Sequence, residues 1–492
     1  MKLRDLLTGL PFTVEMGSLD IEITKIEENL LMLSGGELFP YFSSPVADKL
    51  DILGRAIRRG VRAIVVSALP EGTEIPERVT VLRTENVRMF TLSLYEAWYH
   101  RPPMKIIGIT GTKGKTTTSY MIRTILEQSG YKVAHKSSIC LYPSGELQER
   151  EHGKAFFSIG NLASDFYAQC IQNGADFLVA EITSGDIQYH RVDGLTCDIG
   201  VFTNISLDHI SPAEHTDFED YGQTKARMFD RCRIGIINGD DPRIRHFTDG
   251  HIRQIETFGL SHDCTIYAEN VRLLSDYGRI FSISGAAELE VQLCMPGIFN
   301  VYNALAAIAV CHHYGVKNED MNAALSRLTV RGRMEEVPFL PDRTVIIDDA
   351  HNRISMESAL LALRERKPNR IICVTSCHGL VALNRRRDVS EVCGQLADLT
   401  VFSSSSYRTE DPMQILKEME DAIRPTGGEY IVIPDRAEAD RYALSVSKPG
   451  DIIFLSEIGA DRFLEIGEDF IPFEERDIVR EVREQLMAEG KL

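Results

Sequence analysis

The chain has 492 residues, too many for one ordinary core and enough for about three domains. Hydrophobic residues make up 43% and charged residues 26%, which excludes a disordered or low-complexity protein. The formal charge of −18 excludes nucleic acid or an anionic membrane as the main partner, since the only compact basic run is Arg385-Arg386-Arg387.

Residues 1–101 are predicted to form a small mixed domain. A Gly35-Gly36 turn precedes Leu38-Phe39, and a helical stretch over 48–59 leads into the apolar strand 63–66. Pro102 and Pro103 break the chain, and the second domain, 102–328, opens with the buried-strand pattern 105–110. Glycines follow, then a helix with Met121, Ile122, Ile125 and Leu126 at helical spacing. Short apolar strands at 177–182, 199–203 and 234–237 alternate with helical stretches, as in a doubly wound parallel sheet. A second alternating set fills 329–492, with strands at 344–348, 370–374, 399–403, 430–433 and 451–455. A charged helix over 473–491 ends it. The expected fold class is therefore α/β in three domains: a small mixed N-terminal one, a central ATPase-like one with a phosphate loop, and a C-terminal Rossmann-like one.

Ten cysteines, from Cys140 to Cys393, lack paired spacing and read as reduced, buried thiols. Cys373 and Cys377 are four apart but lack a second pair, which argues against zinc. The N-terminus has no apolar stretch suited to a signal peptide and no window approaches a membrane span, so a cytoplasmic protein is expected.

The run Thr110-Gly111-Thr112-Lys113-Gly114-Lys115-Thr116-Thr117 lies between a strand and a helix, where backbone N–H groups at the helix start can cradle phosphate oxygens. Gly111 and Gly114 admit close approach of the main chain, Lys115 reaches the outer phosphates and the Thr116 hydroxyl suits Mg²⁺. An ordinary glycine turn is the plainer alternative, but strand, loop, Lys-Thr and helix stand in the order nucleotide binding requires. Ile109 occupies the place of the first glycine of the strict eight-residue pattern.

This variant resembles the phosphate loop of the Mur ligases and the folylpolyglutamate synthetases. Within that group the chain looks most like the Mur ligases that add the third peptide residue to the cell-wall precursor. The separate domain before the loop sets it apart from the folylpolyglutamate synthetases. The resemblance implies ATP and Mg²⁺ as cofactors, held by Gly111, Thr112, Lys113, Gly114, Lys115, Thr116 and Thr117. It implies further metal ligands at Glu181 and at His209 of the Asn204-x-x-x-Asp208-His209 pattern, and a CO₂-derived carbamate on Lys225. A carbamate turns a cation that would repel Mg²⁺ into an anion that shares its charge. Asn300, in a signature shared with Asn303, and Asp348, near His351, are expected at the nucleotide, and Arg333 at its γ-phosphate. Lys115, Lys225, His209 and Arg333 form the expected catalytic set. The groups of the third domain would reach ATP only if the second and third domains close on it.

The chain also departs from the family. Thr24-Lys25-Ile26-Glu27-Glu28-Asn29 stands where the family's Asp-Ser-Arg motif holds uridine, and the neighbourhood of Ser158-Ile159-Gly160-Asn161 replaces a Thr-Thr-Pro segment. Thr183, Ser184 and Arg191 remain as donor contacts. In the acceptor region Ser405-Ser406-Tyr407-Arg408 places Arg408 where diaminopimelate-adding relatives have an arginine, suited to a bidentate carboxylate contact. Glu457-Ile458-Gly459-Ala460-Asp461 offers Glu457 and Asp461 for a distal ammonium, a drifted loop being the alternative. The expected activity is ATP-dependent joining of a diamino acid, lysine or meso-diaminopimelate, to UDP-N-acetylmuramoyl-L-alanyl-D-glutamate through an acyl phosphate, by a monomer whose partners are these small molecules. Alternatives are a paralogue joining other substrates, in secondary metabolism or a modified cell wall, and an inactive nucleotide-binding scaffold.

Overall fold

Strand 105–110 is apolar on both faces, and the fold uses both. Ile107 and Ile109 enter one buried cluster with Met121, Ile122 and Ile308, while Ile106 enters another with Leu178 and Phe202. Such a strand belongs inside a sheet, and it lies there. The computed structural model describes the chain except for residues 44–50, 146–147, 150–161, 190, 193, 208–209, 211–214, 275–277, 382–383, 468 and 490–492.

Among the described residues the N-terminal sheet has four strands, β1 (Thr13–Met16), β2 (Leu38–Pro40), β3 (Ala63–Val66) and β4 (Thr80–Arg83), in the order β1-β4-β3-β2. The predicted helix over 48–59 is described only as Ile52–Arg58. The helix Val87–Tyr99 buries Phe90, Leu94 and Tyr95 in the same cluster as Ile106, so this lobe is packed onto the central sheet.

The central sheet contains β5 (Lys105–Thr110), β6 (Val133–Lys136), β7 (Cys140–Tyr142), β8 (Gln148–Glu149), β9 (Phe177–Glu181), β10 (Cys197–Phe202), β11 (Cys232–Asn238), β12 (Ile255–Gly259), β13 (Ile266–Leu273), β14 (Arg279–Gly285) and β15 (Leu289–Leu293). Their order is β15-β14-β13-β12-β11-β10-β5-β9-β6-β7-β8. From β6 to β13 the neighbours run parallel, whereas β7 and β8 at one margin and β14 and β15 at the other pair antiparallel. The margins add antiparallel strands to the expected doubly wound parallel sheet. β13 and β14 alternate buried with half-exposed residues, the signature of a strand with one wet face, and so lack the continuous apolar run that marks the interior strands.

The C-terminal sheet comprises β16 (Glu335–Val337), β17 (Thr344–Asp348), β18 (Ile371–Thr375), β19 (Leu399–Phe402), β20 (Tyr430–Val432) and β21 (Ile452–Ser456), in the order β16-β17-β21-β18-β19-β20. All pairs but β16·β17 are parallel, so the loops after β17, β21, β18 and β19 emerge side by side on one edge. Ligands of open α/β sheets collect on that edge. No helix among the described residues is long and apolar enough to cross a membrane.

Beneath this edge Arg436 is buried with Asp440 at 3.0 Å and Glu475 at 2.5 Å. Burial pushes both carboxyls above the usual range, with Arg436 pulling the other way. A carboxyl whose folded pKa is raised stabilises the fold below its unfolded value and loses that contribution as pH rises through the folded value. Thermal stability is therefore expected to fall between about pH 5 and about pH 8, since burial pushes Glu475 up to about 8. Glu475→Gln should flatten that decline in a melting series; an unchanged slope would show that the cluster is not its source.

Candidate active site between the central and C-terminal lobes

The phosphate loop is built by contacts from the next strand as much as by its own glycines. Thr203 Oγ1 and Asn204 Nδ2 donate to the Lys113 carbonyl at 2.7 and 2.9 Å, and Lys113 N donates to Asn204 Oδ1 at 2.9 Å. Gly111 has φ +144°, and a Cβ there would overlap Thr203 Oγ1 and press on the Asn204 backbone. Gly114 has φ +81° and abuts Asn303 Oδ1, so glycine is required at both positions. The helix Lys115–Gln128 begins immediately after it, its first N–H groups lying at the loop.

Lys115 Nζ donates to the carbonyls of Gly111 and Thr112 at 2.9 and 3.1 Å, folding its ammonium over the loop. Thr116 Oγ1 lies 3.0 Å from Ser138 Oγ, and Thr117 is buried behind it. Glu181, at the end of β9, is 4% exposed, and its Oε1 has no hydrogen-bond donor. Burial raises its pKa, opposed by Lys115, a hydrogen bond from Thr116, and Arg333. A buried carboxylate oxygen without a donor, beside a threonine hydroxyl and a phosphate loop, fits a hard divalent cation. Among the described residues no three His, Cys, Asp or Glu side chains cluster as metal ligands. His209, with Asp208, lies outside the described residues, as does Ser158-Ile159-Gly160-Asn161.

Lys225 is 2% exposed on the helix Phe218–Ala226, and its Nζ donates to the Gly111 carbonyl at 3.0 Å and lies over the Tyr221 ring. The sequence alone left a solvated helix lysine as the alternative; the structure buries it against the loop. Asn300 and Asn303 sit under the loop: Asn300 Nδ2 donates to Pro296 O, Asn303 Nδ2 to Asn300 Oδ1, and Thr118 Oγ1 to Asn303 Oδ1. Asn300 thus braces Asn303, which touches the loop at Gly114.

The C-terminal lobe closes the other side. Lys113 Nζ lies 2.9 Å from His351 Nε2, and Arg279 pairs with Glu365 across the lobes. Arg333 Nη2 is 2.8 Å from Asp349 Oδ2, and Arg333 lies near enough to Glu181 to influence its charge. Burial pushes Asp348 up to about 6 against the pull of Arg333. Burial also acts on Asp349, but Arg333 and His351 hold it well below the usual carboxylate range. Asp349 is a contact the sequence did not single out; it parks the guanidinium at the mouth of the loop.

On the donor side Thr183 and Asp186 form a capping box for the short helix Ser184–Gln188, so the Thr183 hydroxyl serves that helix. Asp186 lies 3.6 Å from Lys136 Nζ and 3.9 Å from Arg191 Nη1, which brings two cations beside Ser184. Lys136 escaped the sequence reading, although its place at the end of a parallel strand was the available signal. The segment at the family's uridine motif is bound up internally: Lys25 Nζ donates to Glu27 at 2.8 Å, Tyr95 OH donates to Glu28 and Asn29 caps Leu30–Met32.

In the acceptor region Arg408 Nε donates to Glu465 Oε2 at 2.8 Å and Nη1 to the Gly379 carbonyl at 3.1 Å. Glu457, expected to meet an ammonium, is buried: its Oε2 accepts from Ser376 Oγ at 2.5 Å and its Oε1 faces an imidazole, 2.7 Å from His378 Nε2. Asp461 is half-buried nearby and acts electrostatically on both Arg333 and His378. Met334, Leu380, Arg408 and Glu457 all adopt positive φ on this edge, the kind of strain that collects at functional sites.

The Mur ligase middle domain matches residues 109–311, and the Mur ligase glutamate ligase domain matches residues 332–456. A UDP-N-acetylmuramoyl-L-alanyl-D-glutamate–2,6-diaminopimelate ligase of Caldanaerobacter subterraneus is 32% identical over 487 residues, covering 98% of this chain and 99% of the relative. The chain belongs to the Mur ligase family.

A ligase of the same description from Geobacillus kaustophilus is 31% identical over 98% of this Mur ligase and 99% of its own length. Among solved structures, a 2,6-diaminopimelate ligase aligns with TM-score 0.66 at 22% identity, covering 94% of this chain and 95% of the other. A MurF ligase from Thermotoga maritima in complex with ADP aligns at 0.61 and 17% identity, covering 95% and 98%. These likenesses establish the three-domain α/β fold. With the family they make this Mur ligase an ATP-dependent ligase of a family that uses Mg²⁺.

Proposed function

We propose that this ligase, with lobes 1–101, 102–328 and 329–492, joins a diamino acid to the glutamate carboxylate of UDP-N-acetylmuramoyl-L-alanyl-D-glutamate. The end-to-end match to the 2,6-diaminopimelate ligase of Caldanaerobacter subterraneus carries this reading. Lys115 and the N–H groups at the start of its helix hold the nucleotide phosphates, and Arg333 swings from Asp349 to steady the phosphoryl group in transit. Thr116, Glu181, His209 and a carbamate on Lys225 are the ligands assigned to Mg²⁺, which neutralises phosphate and carboxylate charge when bound. Lys136, Arg191 and Ser184 seat the donor carboxylate. Its attack on the γ-phosphoryl group gives an acyl phosphate; the amine then displaces phosphate from that carbonyl, and ADP departs.

The protein, MgATP and the UDP-muramyl dipeptide are incubated with lysine, meso-diaminopimelate or ornithine, and phosphate release and product mass are measured. One of these amines should give stoichiometric phosphate and a tripeptide; release with none of them would end the proposal. A second reading, a donor lacking uridine, is favoured by the internal bonds of Lys25, Glu28 and Asn29. A muramyl dipeptide without UDP serving equally well would select it.

Lys225→Ala should lower turnover by about a hundredfold or more, with partial recovery on adding short carboxylates that replace the carbamate anion. Full activity in the variant without rescue would remove the carbamate from the site.

A further inference from the structure

β18 and β19 are adjacent parallel strands, and the loops that leave them lie against each other. Gly379 N donates to the Ser406 carbonyl at 3.0 Å, and Arg408 Nη1 donates back to the Gly379 carbonyl at 3.1 Å. A Cβ on Gly379 would overlap the Tyr407 carbonyl, so glycine permits this contact and sets His378 beside Arg408. From the neighbouring β21 comes Glu457, 3% exposed with φ +87°. A buried carboxylate on a left-handed backbone is costly twice over, which calls for a reason beyond packing. Its geometry supplies one: Oε2 is held by Ser376, and Oε1 is 2.7 Å from His378 Nε2.

We propose that His378, seated on Glu457, is a specificity-determining residue that works with Arg408 to bind a carboxylate at the far end of the incoming amino acid. This rests on the reading of the protein as a diamino-acid ligase. With Nε2 facing Glu457, contact with the acceptor falls to Nδ1. Burial works against charge on the ring, but Glu457 outweighs it and raises the pKa; Arg408 opposes and Asp461 assists. Glu465 is engaged by Arg408 Nε, and Arg436 donates to Ser376 Oγ at 3.4 Å and also acts electrostatically on Glu457. Asp461, half-buried nearby, acts on Arg333 as well as on the ring. β17, β21, β18 and β19 are successive neighbours, so His378 and Arg408 leave strands about 10 and about 14 Å from that of Asp348.

The test compares meso-diaminopimelate with lysine, which lacks the second carboxylate, in wild type and His378→Gln between about pH 6 and about pH 9. Wild type is expected to prefer the diacid, with kcat/KM for it falling as His378 deprotonates and no matching step for lysine. His378→Gln should raise KM for the diacid about 10- to 100-fold, leave KM for lysine within about twofold and abolish the pH step. Glu457→Gln should move that step to lower pH. An unchanged diacid KM in His378→Gln, or a wild type that uses lysine at least as well, overturns the inference alone. Wild-type protein that couples neither amine to the donor overturns the underlying reading, and the inference with it.

Discussion

Lys115→Ala is expected to abolish turnover with every acceptor, lowering kcat by about a thousandfold or more while leaving the melting temperature nearly unchanged. Without nucleotide the Lys115 ammonium caps the carbonyls of Gly111 and Thr112, a contact the fold can lose to water because the side chain is only partly buried. During phosphoryl transfer no other group on this loop supplies a mobile positive charge: Lys113 faces His351 and Lys225 faces the loop from behind. Phosphate release and thermal unfolding of the same preparation provide the comparison. Near-normal release from a folded variant would contradict the role given to this lysine.

Gly111→Ala is the second large effect and has a different origin. At φ +144° an alanine is strained by about 1–3 kcal/mol, and its methyl would press on Thr203 Oγ1 and on the Asn204 backbone, which hold the loop in shape. Because Lys225 donates to the carbonyl of this same residue, displacing it also disturbs the buried lysine. A fall in kcat of about a hundredfold or more, together with a lower melting temperature, is expected; the pairing distinguishes this variant from Lys115→Ala. A Gly111→Ala protein with wild-type stability and rate would show that the loop can be held without the close approach to Thr203.

Much of the architecture was legible because it is written locally. Strand β17 falls at 344–348, where it was expected, and β5, β9, β10 and β11 fall within two residues of their predicted bounds, since apolar runs between turn residues report burial on both faces. The hairpin strands β14 and β15 were missed because one face is wet and their pattern competes with that of a loop. Thr24–Asn29 could be recognised as a departure from the family, but only the fold shows that Lys25, Glu28 and Asn29 are engaged in holding the N-terminal lobe.

The amino-acid order determined the phosphate loop, its helix and the parallel strands around it, because a glycine bend, a helix start and a buried strand each depend on neighbours a few residues away. It also placed Glu181 at a strand end, where ligands gather. Only the tertiary structure decided what those groups face. It seated His378 on Glu457, brought Asp349 to Arg333, set Lys136 and Arg191 around Asp186, and apposed Lys113 to His351 across two lobes. The partners in these pairs stand as few as five and as many as 238 positions apart, and their approach is fixed by strand order and lobe packing, which no local run of residues encodes.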